Sequence, residues 1–182
     1  MRIYCDLDNV LVHPVLGGPL KDQVIRIVPR PNADWFLRKL AGQGDVWLLT
    51  ASCCGHPGRA LRVLGPSTNV LSGVISREHL APVEEQIRVV QEAGVGEQER
   101  RELWSLIRPI APPGVVFDDF PVGSDMFLLK ATAVGIGPEH WVQVEHFGEG
   151  RPDNGGLRRA YAEFRRRFGS RMGTRLRHGV LV

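Results

Sequence analysis

The stretch MRIYCDLDNV at residues 1–10 constrains this chain more than any other. Arg2 to Leu7 alternate and lean β-branched, aromatic or apolar, which predicts a short buried strand. That strand ends on two carboxylates at i and i+2, Asp6 and Asp8, and a period of two puts both side chains on one edge. Carboxylates crowded at the end of a buried parallel strand repel one another, and the arrangement is costly unless a cation or a shared proton neutralises them. The pattern asks for a divalent metal.

Downstream of this strand, Val12 to Pro19 reads as a loop and Val24 to Val28 as a β-rich run closed by Pro29. Together they predict a small hairpin or flap over about residues 12–30, placed to cover the carboxylates. Pro31 and Asn32 open a helix whose apolar positions Ala33, Phe36, Leu37, Leu40 and Ala41 follow 3.6-residue spacing, with Asn32 as the cap. Val46 to Leu49 is a continuous apolar run, as expected of a parallel strand buried on both faces, and it ends at Thr50-Ala51-Ser52. A hydroxyl and unpaired backbone N–H groups at a strand's carboxyl end form a natural cradle for phosphate oxygens.

A helix over 57–64 and a strand over 70–75 follow. Pro82, read as a first-turn proline with Glu84 and Glu85 after it, predicts the next helix, and residues 97–108 another. Gly114 to Phe117 gives a fourth buried strand, which ends on Asp118 and Asp119. Ser124 and Asp125 start a helix that runs to Gly135, and Trp141 to Glu145 is a fifth strand. Alternating strands and helices of this kind predict an α/β fold with a doubly wound parallel sheet. Two strands ending in paired acids about 110 residues apart, with a Thr-ended strand between them, form a constellation that chance rarely supplies.

The string Asp6-Leu7-Asp8-Asn9-Val10-Leu11 resembles the first signature motif of the haloacid dehalogenase superfamily, mostly magnesium-dependent phosphatases. The strand ending at Thr50 resembles the second motif, and the strand ending at Asp118-Asp119 the fourth. The layout from Arg30-Pro31 through Arg77-Glu78 is similar to the branch of phosphatases that act on the carboxy-terminal domain of RNA polymerase II, related to NLI-interacting factor. The likeness covers roughly two thirds of the chain and is loose outside the short motifs. It implies five core strands in the order 3-2-1-4-5, a small flap and no large cap, with both acidic pairs facing each other across neighbouring strands.

The same resemblance implies a chemistry. Asp6 would be the nucleophile that forms an aspartyl-phosphate, and Asp8 the acid and then the base. Thr50 and Ala51 would bind the phosphoryl group. Mg²⁺ suits the oxygen-rich site, held by Asp6, the backbone carbonyl of Asp8, and Asp118, with Asp119 as a ligand through water or an orienting group. The chain departs from the family at the third motif, a Lys or Arg that balances phosphoryl charge. There is no lysine between Lys39 and Lys130, and the usual position, near Ala81, is empty. Arg101 lies nearest in the polymerase-phosphatase layout, and Arg77 and Lys130 are further candidates.

Charge divides the chain. Residues 1–150, the expected phosphatase domain, carry 14 basic and 18 acidic residues, net −4; residues 151–182, an arginine-rich helix and tail, carry 9 and 2, net +7. Such a tail suggests an anionic contact, such as nucleic acid, an acidic protein or another subunit, or else a solvated helix face. Leu157, Ala160, Tyr161, Phe164 and Phe168 form its apolar stripe. No stretch approaches the ~20 apolar residues that span a bilayer, and no signal-peptide pattern opens the chain, so a cytoplasmic protein without membrane contact is expected. Three cysteines, Cys5, Cys53 and Cys54, lack the spacing of a disulfide framework or a zinc site. The histidines lack metal-ligand spacing and read as surface or packing residues.

Two other readings use the same residues. A non-catalytic domain on this fold would bind Mg²⁺ and work through the basic tail. A response-regulator receiver would carry its acceptor Asp after the third strand, where this chain has Ser76-Arg77, and is disfavoured. A phosphatase with a short flap would take an accessible phosphate: a phosphoprotein, a nucleic-acid end or a nucleotide.

Overall fold

The computed structural model describes residues 1–17, 23–52, 55–148, 153 and 155–172. Cys53 and Cys54 lie outside them, as does the tail beyond residue 172. Five strands, β1 (Arg2–Cys5), β4 (Asp45–Leu49), β5 (Leu71–Ile75), β6 (Gly114–Asp118) and β7 (Trp141–Gln143), form one parallel sheet in the order β5-β4-β1-β6-β7. The remaining strands, β2 (Val12–Gly17) and β3 (Gln23–Pro29), pair antiparallel as a separate hairpin. Helices α1 (Ala33–Ala41), α2 (His56–Leu64), α3 (Arg77–Glu92), α4 (Glu97–Leu106), α5 (Asp125–Ala133) and α6 (Gly156–Met172) complete a Rossmann-like α/β fold.

Alternation along β1 divides the core. Ile3 and Cys5 face a layer built from Phe36, Leu37 and Leu40 of α1 and Leu157, Phe164 and Phe168 of α6. Tyr4 faces the opposite layer, where Leu80, Val83 and Ile87 of α3 meet Leu129 and Ala133 of α5. Phe117 in β6 has Phe36 edge-on at 5.2 Å and Phe164 at 5.4 Å, so the C-terminal helix shares the core of the sheet. Cys5 is a buried core residue.

Sheet winding reverses beside β1, because the chain adds β4 and β5 on one side and β6 and β7 on the other. Such a reversal leaves a crevice at the carboxyl ends of the two central strands. Cys5 pairs with Phe117, and the next amide, Asp6 N–H, donates to the Phe117 carbonyl at 2.8 Å. This register brings Asp6 beside Asp118.

One expected cap and two expected boundaries differ. Asn32 does cap α1, but in the left-handed region (φ 67°) and without a side-chain bond to the helix; its side-chain oxygen instead accepts from Arg158 at 3.3 Å. Helix α3 begins at Arg77, five residues before Pro82. Ser76 caps it, and the His79 ring accepts from the Ser76 N–H at 3.2 Å, which starts a helix stable enough to run through the proline. The first strand stops at Cys5: Asp6 and Leu7 lie beyond it, and Asp8 forms an isolated bridge with Val12 around a turn at Asn9 and Val10.

Arginines of α6 turn back on the body. The Arg158 guanidinium lies 4.9 Å over the Trp35 ring, Arg159 pairs with Glu145, Arg165 donates to Gln43 Oε1 at 2.6 Å, and Arg167 donates to the Trp141 carbonyl at 2.8 Å. Among the described residues no helix is long and apolar enough to cross a membrane. Because Phe164 is fully buried among aromatic rings, Phe164→Ala is expected to lower stability by about 3–5 kcal/mol. Urea unfolding followed by circular dichroism measures this, and a loss below about 1 kcal/mol would show that α6 is not part of the core.

Candidate active site and metal centre

At the crevice, two adjacent strands deliver their terminal carboxylates into the interior. Asp6 is 3 % exposed and Asp118 is 0 % exposed. Left unpaired, two such charges would be strongly unfavourable. Lys130, 1 % exposed on α5, supplies the cation: its Nζ lies 2.9 Å from Asp6 Oδ1 and 2.6 Å from Asp118 Oδ2. The second Asp118 oxygen accepts the Phe120 N–H at 2.9 Å, which fixes the turn after β6.

One ammonium does not neutralise two buried carboxylates. Burial pushes the Asp6 carboxyl up to about 8, with Lys130 opposing the rise and Asp118 adding to it. Burial also raises Asp118, again against Lys130. For Lys130 burial favours the neutral amine, but the two carboxylates outweigh it and hold the group above an ordinary lysine. The site is short of positive charge.

Asp119 extends the cluster. One carboxylate oxygen each from Asp6, Asp118 and Asp119 fall within 4.8 Å of one another, the one such group of three among the described residues. Asp119 Oδ2 meets His146 Nδ1 at 2.7 Å, whereas its Oδ1 is buried with no hydrogen-bond partner among the described residues. Three carboxyl groups share one ammonium, and the upward push on Asp6 and Asp118 shows that the cluster is short of positive charge. That donor set, oxygen only, fits a hard divalent cation.

Asp8 points elsewhere. Its Oδ2 accepts from the Ser52 hydroxyl and its Oδ1 lies 2.7 Å from His56 Nε2, so its side chain is engaged apart from the cluster of Asp6, Asp118 and Asp119. Any contribution of Asp8 to a metal would come from its backbone carbonyl. Thr50 is buried at the end of β4, where its N–H donates to the Ile75 carbonyl and its Oγ1 accepts the Ser52 N–H at 3.1 Å. Asp6, Asp8, Thr50, Ala51 and Lys130 all line one open cleft of about 240 Å³.

Arg101 is not there. It sits on the outer face of α4, 71 % exposed, in an i,i+4 ion pair with Glu97. A helix with no buried residue has no reason to aim a cation into the crevice. Arg77 is also committed elsewhere, to Glu84 at 2.7 Å. The assignment of Arg101 to phosphate binding is therefore corrected: Lys130 is the cation of the cleft. Sequence carried a signal for it, a single lysine inside the apolar run from Met126 to Val134. Of the partners of Asp8, Ser52 closes the Thr50-Ala51-Ser52 run, whereas His56 reads from the sequence as a surface or packing residue, because a histidine at a helix start has no distinctive pattern.

No known protein-family model matches this chain and no curated protein matches its sequence, so function has to be read from these side chains. Lys130→Met removes the shared partner of two buried carboxylates and is expected to cost about 3–5 kcal/mol in chemical denaturation. Arg101→Ala is expected to leave the unfolding midpoint unchanged, because its ion pair is exposed to solvent. Equal effects of the two substitutions would contradict the placement of both.

Proposed function

We propose that the chain is a Mg²⁺-dependent phosphomonoester hydrolase of the haloacid dehalogenase type. One observation carries this reading: Asp6 and Lys130, which form one cluster with Asp118 and Asp119, share a single cleft with Asp8 and Thr50. Sheet order adds support. Counted without the β2-β3 hairpin, β5-β4-β1-β6-β7 reads 3-2-1-4-5, the order that the family resemblance implies.

A phosphomonoester arrives as a dianion, which a carboxylate nucleophile can approach only where positive charge offsets both. Lys130 supplies part of this from the floor of the cleft, and the Thr50 hydroxyl with the backbone amides after β4 cradles the phosphoryl oxygens. Asp6 attacks phosphorus to form an aspartyl-phosphate. Asp8 gives a proton to the departing alcohol oxygen, then takes one from the water that hydrolyses the acyl phosphate. Mg²⁺, held by Asp6, Asp118, Asp119 and the Asp8 carbonyl, would neutralise the remaining charge of the carboxylates and phosphate.

The cleft is open, and the β2-β3 hairpin is the one element inserted between β1 and α1. A phosphate on a nucleotide, a nucleic-acid end or a phosphoprotein fits such a site. The alternative, a non-catalytic domain working through its basic tail, gains no support from Arg158, Arg159, Arg165 and Arg167 of α6, which bond to the body.

Hydrolysis of an aryl phosphate is expected to require both Mg²⁺ and Asp6. Asp6→Asn, or EDTA added to the wild type, should reduce release of the phenol to the uncatalysed background. Turnover that survives in Asp6→Asn would overturn the assignment of the nucleophile.

A further inference from the structure

Lys130 bonds to Asp6 and Asp118 but not to Asp8, whose surroundings assign it a partner of its own. His56 is the first residue of α2, behind the left-handed Gly55 at φ 78°, which turns the chain so that the ring enters the interior. Its side chain is 9 % exposed. Its Nε2 is 2.7 Å from Asp8 Oδ1, and its Nδ1 has no hydrogen-bond partner among the described residues. Asp8 is thus the single polar contact that this buried imidazole makes there. A carboxylate oxygen only accepts, so the ring carries its proton on Nε2 and donates to Oδ1.

We propose that His56 is the positioning residue for Asp8: it holds Oδ1 as an acceptor and so confines the transferable proton to Oδ2, the oxygen beside Ser52. This rests on the phosphohydrolase reading above. Ser52 suits the other half of the task. Its hydroxyl both donates and accepts, so it keeps contact with Oδ2 whether or not that oxygen carries the proton. In turnover the proton leaves Asp8 Oδ2 for the alcohol oxygen as the P–O bond breaks, and Asp8 becomes a carboxylate held by His56 and Ser52. When water attacks the aspartyl-phosphate, Oδ2 takes a proton back and Asp6 is released with inorganic phosphate. Protons balance over the cycle, and His56 exchanges none.

Such a role has a signature that general loss of structure lacks. An aligned acid matters most when the alcohol is a poor leaving group and little when the leaving anion is already stable. The test measures kcat/KM, which reports the steps through alcohol departure, for a nitrophenyl phosphate and for an alkyl phosphate. His56→Ala is expected to slow the alkyl ester by about 10- to 100-fold and the nitrophenyl ester by less than about threefold. His56→Gln, whose amide can donate to Oδ1, is expected to recover much of the alkyl rate, and it stands in if His56→Ala does not fold. Equal losses on both esters, or no recovery with Gln, would overturn the positioning role while leaving the Asp6-dependent hydrolase intact. Absence of any Asp6-dependent turnover in the wild type would overturn both.

Discussion

A lysine ammonium wedged between two buried carboxylates is the interaction on which the rest of this structure depends. Asp6 and Asp118 end neighbouring strands and lie side by side because of the β1-β6 register. Without Lys130 that register would place two unneutralised charges in the core. With it, both strand ends become compatible with burial, and α5 is drawn against the carboxyl edge of the sheet. The price is a site whose positive charge is incomplete, since Asp119 adds a third carboxylate. That deficit makes the cluster suited to a divalent cation.

A second buried cation organises the other flank of β1. Arg30 pairs with Asp153 at 3.0 Å and donates to the Glu145 carbonyl at 2.8 Å and, at 3.4 Å, to the carbonyls of Asn9 and Val10. Its guanidinium lies 5.4 Å from the Phe147 ring centroid. The bend that follows Asp8 is thus stapled to the segment after β7, and a planar donor fork serves this better than an ammonium would. Arg30 fixes where the Asp6-Leu7-Asp8 backbone goes, and Lys130 fixes the charge that it meets.

Much of this was legible in the sequence, and for a physical reason. Parallel strands buried on both faces must be apolar, so the polar residues that interrupt them mark their ends. Asp6, Thr50 and Asp118 could therefore be placed at one edge of the sheet from the order of residues alone. Helix α5 was also readable, because Ser124 caps it with its own side chain, accepting the Phe127 N–H at 3.1 Å. The cation was not. Motif spacing does not choose between Lys130, which reaches back from a helix, and Arg101, which faces solvent; the apolar run around Lys130 hints at its burial, and packing settles it. His56 escaped for a similar reason, since its burial depends on the turn at Gly55. Pro82 misled because a proline is a strong helix-start signal, yet Ser76 and His79 build a cap earlier in the chain.

The most direct test of the account is to identify where phosphate is carried during turnover. Protein mixed with a ³²P-labelled phosphomonoester and Mg²⁺, quenched in acid and digested, is predicted to yield an acid-stable, hydroxylamine-labile label on the peptide containing Asp6. Label on another residue, or hydrolysis that proceeds with no labelled protein under conditions where the acyl phosphate should accumulate, would contradict it.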